Sequence, residues 1–123
     1  MLYAMLCYNA EDVVFSWSKE EDDAVMAKLG VVHERLAREG KLGPAARLMP
    51  TTAATTLRKD AGDQLVLDGP FAETKEQLLG FYILDCASLD EALAIASEMG
   101  LANPGGAYEI RPVRMFLPGT VVT

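Results

Sequence analysis

The side chains best suited to acid–base chemistry lie in the segment DGPFAETKEQ, residues 68–77. Asp68 and Glu73 are candidate proton donors or acceptors, and Lys75 is a candidate clamp for a carboxylate or an enolate. A carboxylate beside a lysine is held ionised until a substrate displaces the pair. The segment also has an architectural interpretation, because aspartate, glycine and proline build turns and Phe71 could plug the loop onto the core. Both interpretations remain open on the sequence.

His33 is the only histidine in the chain, and histidine is the usual base near neutral pH. On a helical wheel it lies about 70° from the centre of the apolar face of its helix, at the boundary of the core. It also lies near the end of that helix, roughly 20 Å from the loop at 1.5 Å per residue. We therefore expect His33 to be a weak catalytic candidate that does not meet the loop within one subunit.

The loop leads into a strand that should run antiparallel beside the first strand of the chain. The loop would then lie over the end of the first strand, at Tyr8 and Asn9. Functional groups commonly cluster on loops above a rigid sheet. We therefore expect a ligand to be bound by Tyr8, Asn9, Phe71 and Tyr82.

No motif for a nucleotide, a metal or a nucleophilic serine is present. Cys7 and Cys86 have no nearby histidine to complete a zinc site. The acidic run Glu20–Asp23 is explained by the dipole at the start of a helix. We therefore predict no metal site and no cofactor.

Two helices are indicated by capping boxes, in which a serine and a glutamate three residues later exchange hydrogen bonds with the backbone. Ser18 with Glu21 predicts a helix of about 21 residues that stops at Gly40. Ser88 with Glu91 predicts a second helix that stops at Gly100. Strands are predicted at 2–8, 46–49, 55–58, 64–67, 78–85 and 108–115, and a connection is predicted at 9–17.

The order of these elements is two strand–helix–strand halves with an added hairpin, 55–58 and 64–67, that turns at Ala61-Gly62-Asp63. Two interleaved halves predict an α+β fold of the ferredoxin-like split βαβ type, with both helices on one face of an antiparallel sheet. The other face is apolar and needs a cover, so we expect a homodimer. Cys7 and Cys86 should lie at opposite ends of the sheet, too far apart for a disulfide.

The composition limits the number of domains, the kinds of partner and the location that we expect. The chain of 123 residues is long enough for one domain, residues 1–123, and its net charge of −7 disfavours nucleic acid and anionic membranes as partners. No membrane-spanning stretch or leader peptide is recognised, and unpaired cysteines are typical of a cytoplasmic protein.

The segment Asp68–Gln77, followed by Gly80-Phe81-Tyr82, resembles the signature of the DGPF-type branch of the YCII-related family. This resemblance implies a ferredoxin-like subunit that forms a dimeric α+β barrel. Some relatives look like lyases acting on small molecules, and members are often associated with extracytoplasmic-function sigma factors. This chain has Leu29 where the resemblance would place the family's histidine.

The leading functional hypothesis is a homodimer that binds a small acidic or phenolic metabolite, with proton transfer or elimination as the expected chemistry. The alternative is a non-catalytic ligand sensor or interaction module in sigma-factor regulation. Fold class does not separate the two. We expect a pocket with converging titratable groups in the first case and a fully hydrogen-bonded loop in the second.

Overall fold

The computed structural model describes residues 1–59 and 62–121. The six strands are β1 (Leu2–Asn9), β2 (Leu42–Arg47), β3 (Thr55–Lys59), β4 (Gln64–Asp68), β5 (Gln77–Asp85) and β6 (Ala107–Pro112). The α-helices are α1 (Glu11–Val14), α2 (Lys19–Arg38) and α3 (Leu89–Ala102), and a short 3₁₀ turn covers Thr51–Ala53. The connection predicted at 9–17 thus contains the additional helix α1.

The principal helix α2 begins as the sequence predicts. The Ser18 hydroxyl accepts from the Glu21 N–H, and the Glu21 carboxylate accepts from the Ser18 N–H, so the capping box is complete. Gly40 follows the helix with φ at 71°, the left-handed conformation that glycine adopts without steric cost. The buried side chains of α2 are Leu29, Val32 and Leu36.

Helix α3 begins after Ser88 as predicted, but one bond of its capping box and its end differ from the prediction. Ser88 accepts from the Glu91 N–H, but the Glu91 carboxylate accepts from Ala87 rather than from Ser88. The helix continues past Gly100 to Ala102, so the predicted stop was wrong. A helical glycine costs only about 1 kcal/mol, whereas the following Pro104 cannot continue the helix.

The sheet has the antiparallel order β2-β5-β1-β6. This order, with two connections through helices, confirms the predicted α+β ferredoxin-like fold. The strand predicted at 46–49 begins earlier, at Leu42, and a register shift after Leu42 accommodates Pro44 at the sheet edge. The last strand ends at Pro112, short of the predicted Met115, although the Val113 N–H still donates to the Leu2 carbonyl.

The predicted hairpin forms a separate two-stranded sheet of β3 and β4, in which Leu57 lies opposite Val66. Ala61 of its predicted turn lies outside the described residues. At the base of the hairpin the Gly69 N–H donates to the Ala54 carbonyl, and the Thr56 hydroxyl donates to the Gly69 carbonyl. These bonds close the base of the hairpin, whose two strands pair with each other and not with the four-stranded sheet.

The core lies between the sheet and α2 with α3. Met5 and Leu84 from the sheet, Leu36 from α2 and Met99 from α3 are completely buried. Cys7 lies opposite Gly80 at one end of the sheet, and the Cys86 N–H donates to Met1 at the other end. Both thiols are free, as predicted. No helix in the described part of the chain is long and apolar enough to span a membrane.

Candidate functional site

A cavity of about 240 Å³ lies between the sheet and α2, and we call it the helix–sheet cavity. Helix α2 lines it with Val25, Met26, Leu29 and His33, four positions that span about 12 Å along the helix axis. The sheet and its loops supply the remaining polar side chains, which are Cys7, Tyr8, Asn9, Arg47, Tyr82, Asn103 and Tyr108. The cavity is thus an apolar groove with a small set of polar groups, which is typical of small-molecule sites.

His33 and Tyr82 form the principal polar pair of the cavity. The His33 Nε2 atom lies 2.8 Å from the Tyr82 hydroxyl, within hydrogen-bond distance. The two rings are tilted by 55° with their centroids 5.2 Å apart. Tyr82 on β5 lies opposite Met5 on β1, so its side chain is on the sheet face that α2 covers. The pair joins a helix to a central strand.

Burial shifts the pKa values of His33 and Tyr82 in opposite directions. It lowers the pKa of His33 below the ordinary value of 6.5, so the imidazole is neutral at pH 7. It raises the pKa of the Tyr82 phenol to about 12, with Cys7 and Tyr108 adding to this effect and Arg47 opposing it. His33 is therefore a proton acceptor and Tyr82 a hydrogen-bond donor at neutral pH.

Lowering the pH should destabilise the protein through His33. Because the pKa of His33 is lower in the folded protein than 6.5, the unfolded chain takes up the proton first as the pH falls. The neutral imidazole makes its full contribution to the free energy of unfolding above pH 6.5, and this contribution is lost progressively at lower pH. We expect the melting temperature to fall more steeply between about pH 7 and about pH 5 in wild type than in His33→Gln. Equal slopes in thermal melts would show that His33 does not titrate differently on folding.

Arg47 is the cation at the outer edge of the cavity. It is the last residue of β2, opposite Gly80, and its guanidinium reaches Asp22 on α2. Nη2 lies 2.9 Å from Oδ1 of Asp22, and Nη1 lies 3.4 Å from Oδ2. This half-exposed pair bridges the edge strand to the first turn of α2.

Four of the residues predicted to form the site are brought together. Tyr8, Asn9, Tyr82 and His33 all line the helix–sheet cavity. The sequence did not predict that His33 shares a cavity with the other three residues. The estimate measured the distance from His33 to the loop, whereas the cavity extends along α2 for more than two turns.

The remaining predicted residues lie elsewhere. Asp68, Glu73, Lys75 and Phe71 are exposed and do not line the helix–sheet cavity. Phe71 is 74% exposed and lies under the Arg58 guanidinium, 5.9 Å from its ring centroid, instead of plugging the core. The acid–base role of the three charged residues stays a prediction that concerns the outside of the subunit.

The side-chain amide of Gln77, at the end of the loop, joins the loop to the body of the protein. The Gln77 side chain accepts from the Glu11 N–H at 2.9 Å and donates to the Thr74 carbonyl at 2.6 Å. The Glu11 carboxylate in turn accepts from the N–H and hydroxyl of Thr51. Loop, α1 and the 3₁₀ turn are thereby joined beside the cavity.

Sequence reasoning missed Trp17, Arg47 and Tyr108 as residues of the cavity. Tyr108 and Arg47 each lie in a predicted strand, but the pattern does not place these strands beside the cavity. Trp17 carried a usable signal, because the only tryptophan of the chain directly precedes the helix cap. Among the described residues, no cluster of histidine, cysteine and carboxylate side chains is suited to hold a metal ion.

The fold and the cavity define a ferredoxin-like α+β protein with a pocket between its sheet and its longest helix. The chain belongs to the family of the YCII-related domain, whose model matches residues 1–117. It is 62% identical over 120 residues to an uncharacterized protein of Rhizobium meliloti (strain 1021), covering 97% of each chain.

A solved structure has a similar fold. It is the 5-chloro-2-hydroxyhydroquinone dehydrochlorinase of Burkholderia phenoliruptrix AC1100 in complex with 2,5-dihydroxybenzoquinone. The TM-score is 0.52 at 16% identity, and the match covers 93% of this chain and 94% of the other. At this level of identity the likeness establishes the fold alone.

Proposed function

We propose that the protein binds a small acidic phenol or enol in the helix–sheet cavity and removes a proton from it through the pair of His33 and Tyr82. The observation that carries this proposal is the 2.8 Å contact between His33 Nε2 and the Tyr82 hydroxyl inside an otherwise mostly apolar cavity. A neutral imidazole that contacts a phenol hydroxyl is a proton acceptor with a relay attached.

The size of the cavity supports a ligand with a single ring. A cavity of about 150 Å³ holds benzene, and the helix–sheet cavity measures about 240 Å³. The additional volume suits a ring that carries a few polar substituents. The wall of Val25, Met26 and Leu29 offers the apolar contact that a ring requires.

The proton moves in one balanced step. The ligand hydroxyl gives its proton to the Tyr82 oxygen while the Tyr82 proton passes to His33 Nε2. The products are a ligand phenolate, a neutral Tyr82 and an imidazolium. If the ligand is an enol with a leaving group on the saturated carbon next to its C=C bond, its anion forms C=O, the C=C bond moves by one position, and the leaving group departs with the electron pair, which is elimination chemistry. The similarly folded dehydrochlorinase, solved with a quinone, supports this direction.

His33 is a weak base, and this limits how weakly acidic the ligand hydroxyl can be. The pKa of His33 lies below 6.5, and each unit of mismatch costs about 1.4 kcal/mol. An ordinary phenol, with a pKa of roughly 10 like that of tyrosine, would transfer its proton uphill by at least about 5 kcal/mol. The ligand hydroxyl must therefore be acidic, as in a phenol with electron-withdrawing groups or a hydroxyquinone.

The test uses para-nitrophenol, whose anion absorbs visible light, with the fluorescence of Trp17 as an independent reporter of binding. In wild type, slightly below neutral pH, we expect the Trp17 signal to saturate and the bound compound to ionise. His33→Leu should bind it with at least a tenfold smaller ionised fraction, because the proton acceptor is gone. Tyr82→Phe should show a similar loss. Glu34→Gln, an exposed change one residue away on α2, is the matched control and should behave as wild type.

Binding without any ionisation in wild type would reject the proton transfer and leave a ligand sensor. Absence of binding by para-nitrophenol and by unsubstituted phenol would reject the proposed function altogether. An interaction module would then be the better hypothesis.

We infer in addition that two subunits associate through the open face of the sheet and the hairpin, as the dimeric barrel interpretation expects. Leu6, Phe81 and Ile83 lie on the sheet face opposite the helices and are only half-buried. The hairpin exposes Leu65, Val66 and Leu67 in succession, at 54%, 65% and 41%. Because consecutive residues point to opposite faces, both faces of this ribbon are apolar. A lone two-stranded ribbon is marginal in water, so a partner subunit is the economical cover.

Two further expectations fit the same proposal. The free thiols Cys7 and Cys86 are consistent with a reducing, cytoplasmic compartment. The acidic net charge of −7 favours neither nucleic acid nor an anionic membrane as a partner.

A further inference from the structure

The helix–sheet cavity has a charge balance opposite to that of the whole protein. The chain carries 18 acidic and 11 basic side chains, for a net charge of −7. Yet among the described residues that line the cavity none is an aspartate or a glutamate, and the one permanently charged side chain is Arg47. An acidic protein that keeps carboxylates out of one pocket and places a guanidinium there favours an anion in that pocket.

Arg47 lies where the cavity meets a second, outer cavity of about 410 Å³. The two cavities share Val14, Trp17, Arg47 and Leu79. The outer cavity is also lined by Asp22. Arg47 thus lines both cavities, whereas His33 and Tyr82 line only the inner cavity and Asp22 lines only the outer one.

The pair of Arg47 and Asp22 leaves donors for another anion. A guanidinium has five N–H donors in a planar fork that suits carboxylates, and the two contacts to Asp22 measure 2.9 and 3.4 Å. The pair is half-exposed, at 55% for Arg47 and 33% for Asp22, so its net stabilising contribution is small. A ligand anion can thus compete with Asp22 at little cost to the fold.

We infer that Arg47 binds a carboxylate substituent of the ligand and that Asp22 is the internal competitor for the same guanidinium. This inference rests on the proposed function and deepens it. The ligand class becomes an acidic phenol or enol that also carries a carboxylate on its ring.

The register of the strands supports two anchoring points for one ring. Ala45 lies opposite Tyr82 and Arg47 lies opposite Gly80, so the Arg47 and Tyr82 positions are two residues apart along the same pair of strands. Diagonal neighbours of this kind on adjacent strands share a face of the sheet and lie roughly 7–8 Å apart. A hydroxyl and a carboxylate on opposite sides of one six-membered ring are separated by a similar distance.

The test compares two matched compounds, a nitrophenol with a carboxylate para to its hydroxyl and the carboxamide of the same nitrophenol. Both are titrated against the Trp17 fluorescence at low salt. We expect wild type to prefer the carboxylate at least tenfold. Arg47→Gln should lower this preference to near unity, and Arg47→Lys should retain part of it as a point charge. Asp22→Asn should strengthen carboxylate binding about fivefold, because the competing anion is removed.

Two controls isolate the position of the charge from its amount. Glu20→Gln removes a negative charge from the same helical turn as Asp22, and Lys28→Gln removes a positive charge from α2; both residues are exposed. Neither change should alter the preference for the carboxylate. Thermal melts of every variant show whether the fold is retained.

A preference unchanged in Arg47→Gln, or weaker carboxylate binding in Asp22→Asn, would overturn the inference. A purely structural role of the pair predicts that second result. Equal binding of both compounds by wild type, or binding of para-nitrophenol alone, would also overturn it and leave the proposed function standing. Failure of all three compounds to bind would overturn both.

Discussion

Gly106→Ala is expected to destabilise the protein by about 2–5 kcal/mol. Gly106 has φ at 73°, where an alanine costs about 1–2 kcal/mol. A Cβ there would also overlap the Tyr8 carbonyl oxygen and approach the Asn9 Cβ to 3.0 Å. Backbone cannot move aside as a flexible side chain does, and forced overpacking adds about 1–3 kcal/mol. Urea denaturation measures the total.

Gly40→Ala is the matched control for this change. Gly40 has nearly the same φ, 71°, but a Cβ at Gly40 would meet nothing within 4 Å. Its cost should be the conformational part alone, about 1–2 kcal/mol. The difference between the two variants therefore measures the contact of the Gly106 loop with the end of β1. Equal costs would mean that the loop can move away from Tyr8 freely.

The same substitution should affect the site. Asn103 and Gly105 from this loop line the helix–sheet cavity, as does Tyr108 just after it, opposite Cys7. Pushing the loop from Tyr8 and Asn9 widens the cavity at that end. We therefore expect Gly106→Ala to weaken para-nitrophenol binding in urea-free buffer, while Gly40→Ala leaves it as in wild type.

Val66→Glu is expected to convert a wild-type dimer into a monomer. The dimer proposal places the apolar hairpin against the partner subunit, and a carboxylate buried there without a partner is strongly unfavourable. We expect the dissociation constant of the dimer to rise at least tenfold, which corresponds to about 1.4 kcal/mol. Light scattering coupled to size-exclusion chromatography over a range of concentrations measures the mass directly.

Leu67→Glu and Gln64→Glu complete the design. Leu67 lies on the opposite face of the ribbon from Val66, so the comparison shows which face meets the partner. Gln64, on the same strand, is already polar and pairs with Lys59, so its change adds the same charge with little effect expected. A wild-type protein that remains monomeric at about 100 μM, far above a micromolar dissociation constant, would reject the dimer.

The two proposals are independent in their tests. Binding of an acidic phenol is read from Trp17 and the absorbance of the compound, whereas association is read from mass. The residues Val66 and Leu67 do not line the helix–sheet cavity, so a monomeric variant should still bind the compound. Loss of binding on dissociation would instead indicate that the exposed loop with Asp68, Glu73 and Lys75 acts on the cavity of the partner subunit.

The sequence by itself determined the elements whose causes are local. Ser18 and Glu21 are three residues apart, and their reciprocal hydrogen bonds start α2 regardless of what the helix packs against. The hairpin and the order of strands and helices follow from short-range patterns in the same way, and that order limits the fold to few topologies. The family likeness of the segment Asp68–Gln77 agrees with the matching family model over residues 1–117.

Only the tertiary structure decided which side chains form the site. His33 and Tyr82 are 49 residues apart, and Arg47 and Asp22 are 25 apart, so no local pattern links the members of either pair. Their meeting depends on the register of β2 and β5 and on how α2 lies across the sheet, which packing of the whole core fixes. The charged loop dominated the site prediction because its residues are adjacent in the sequence. The cavity is instead built from single residues of several elements, and their proximity is a property of the fold.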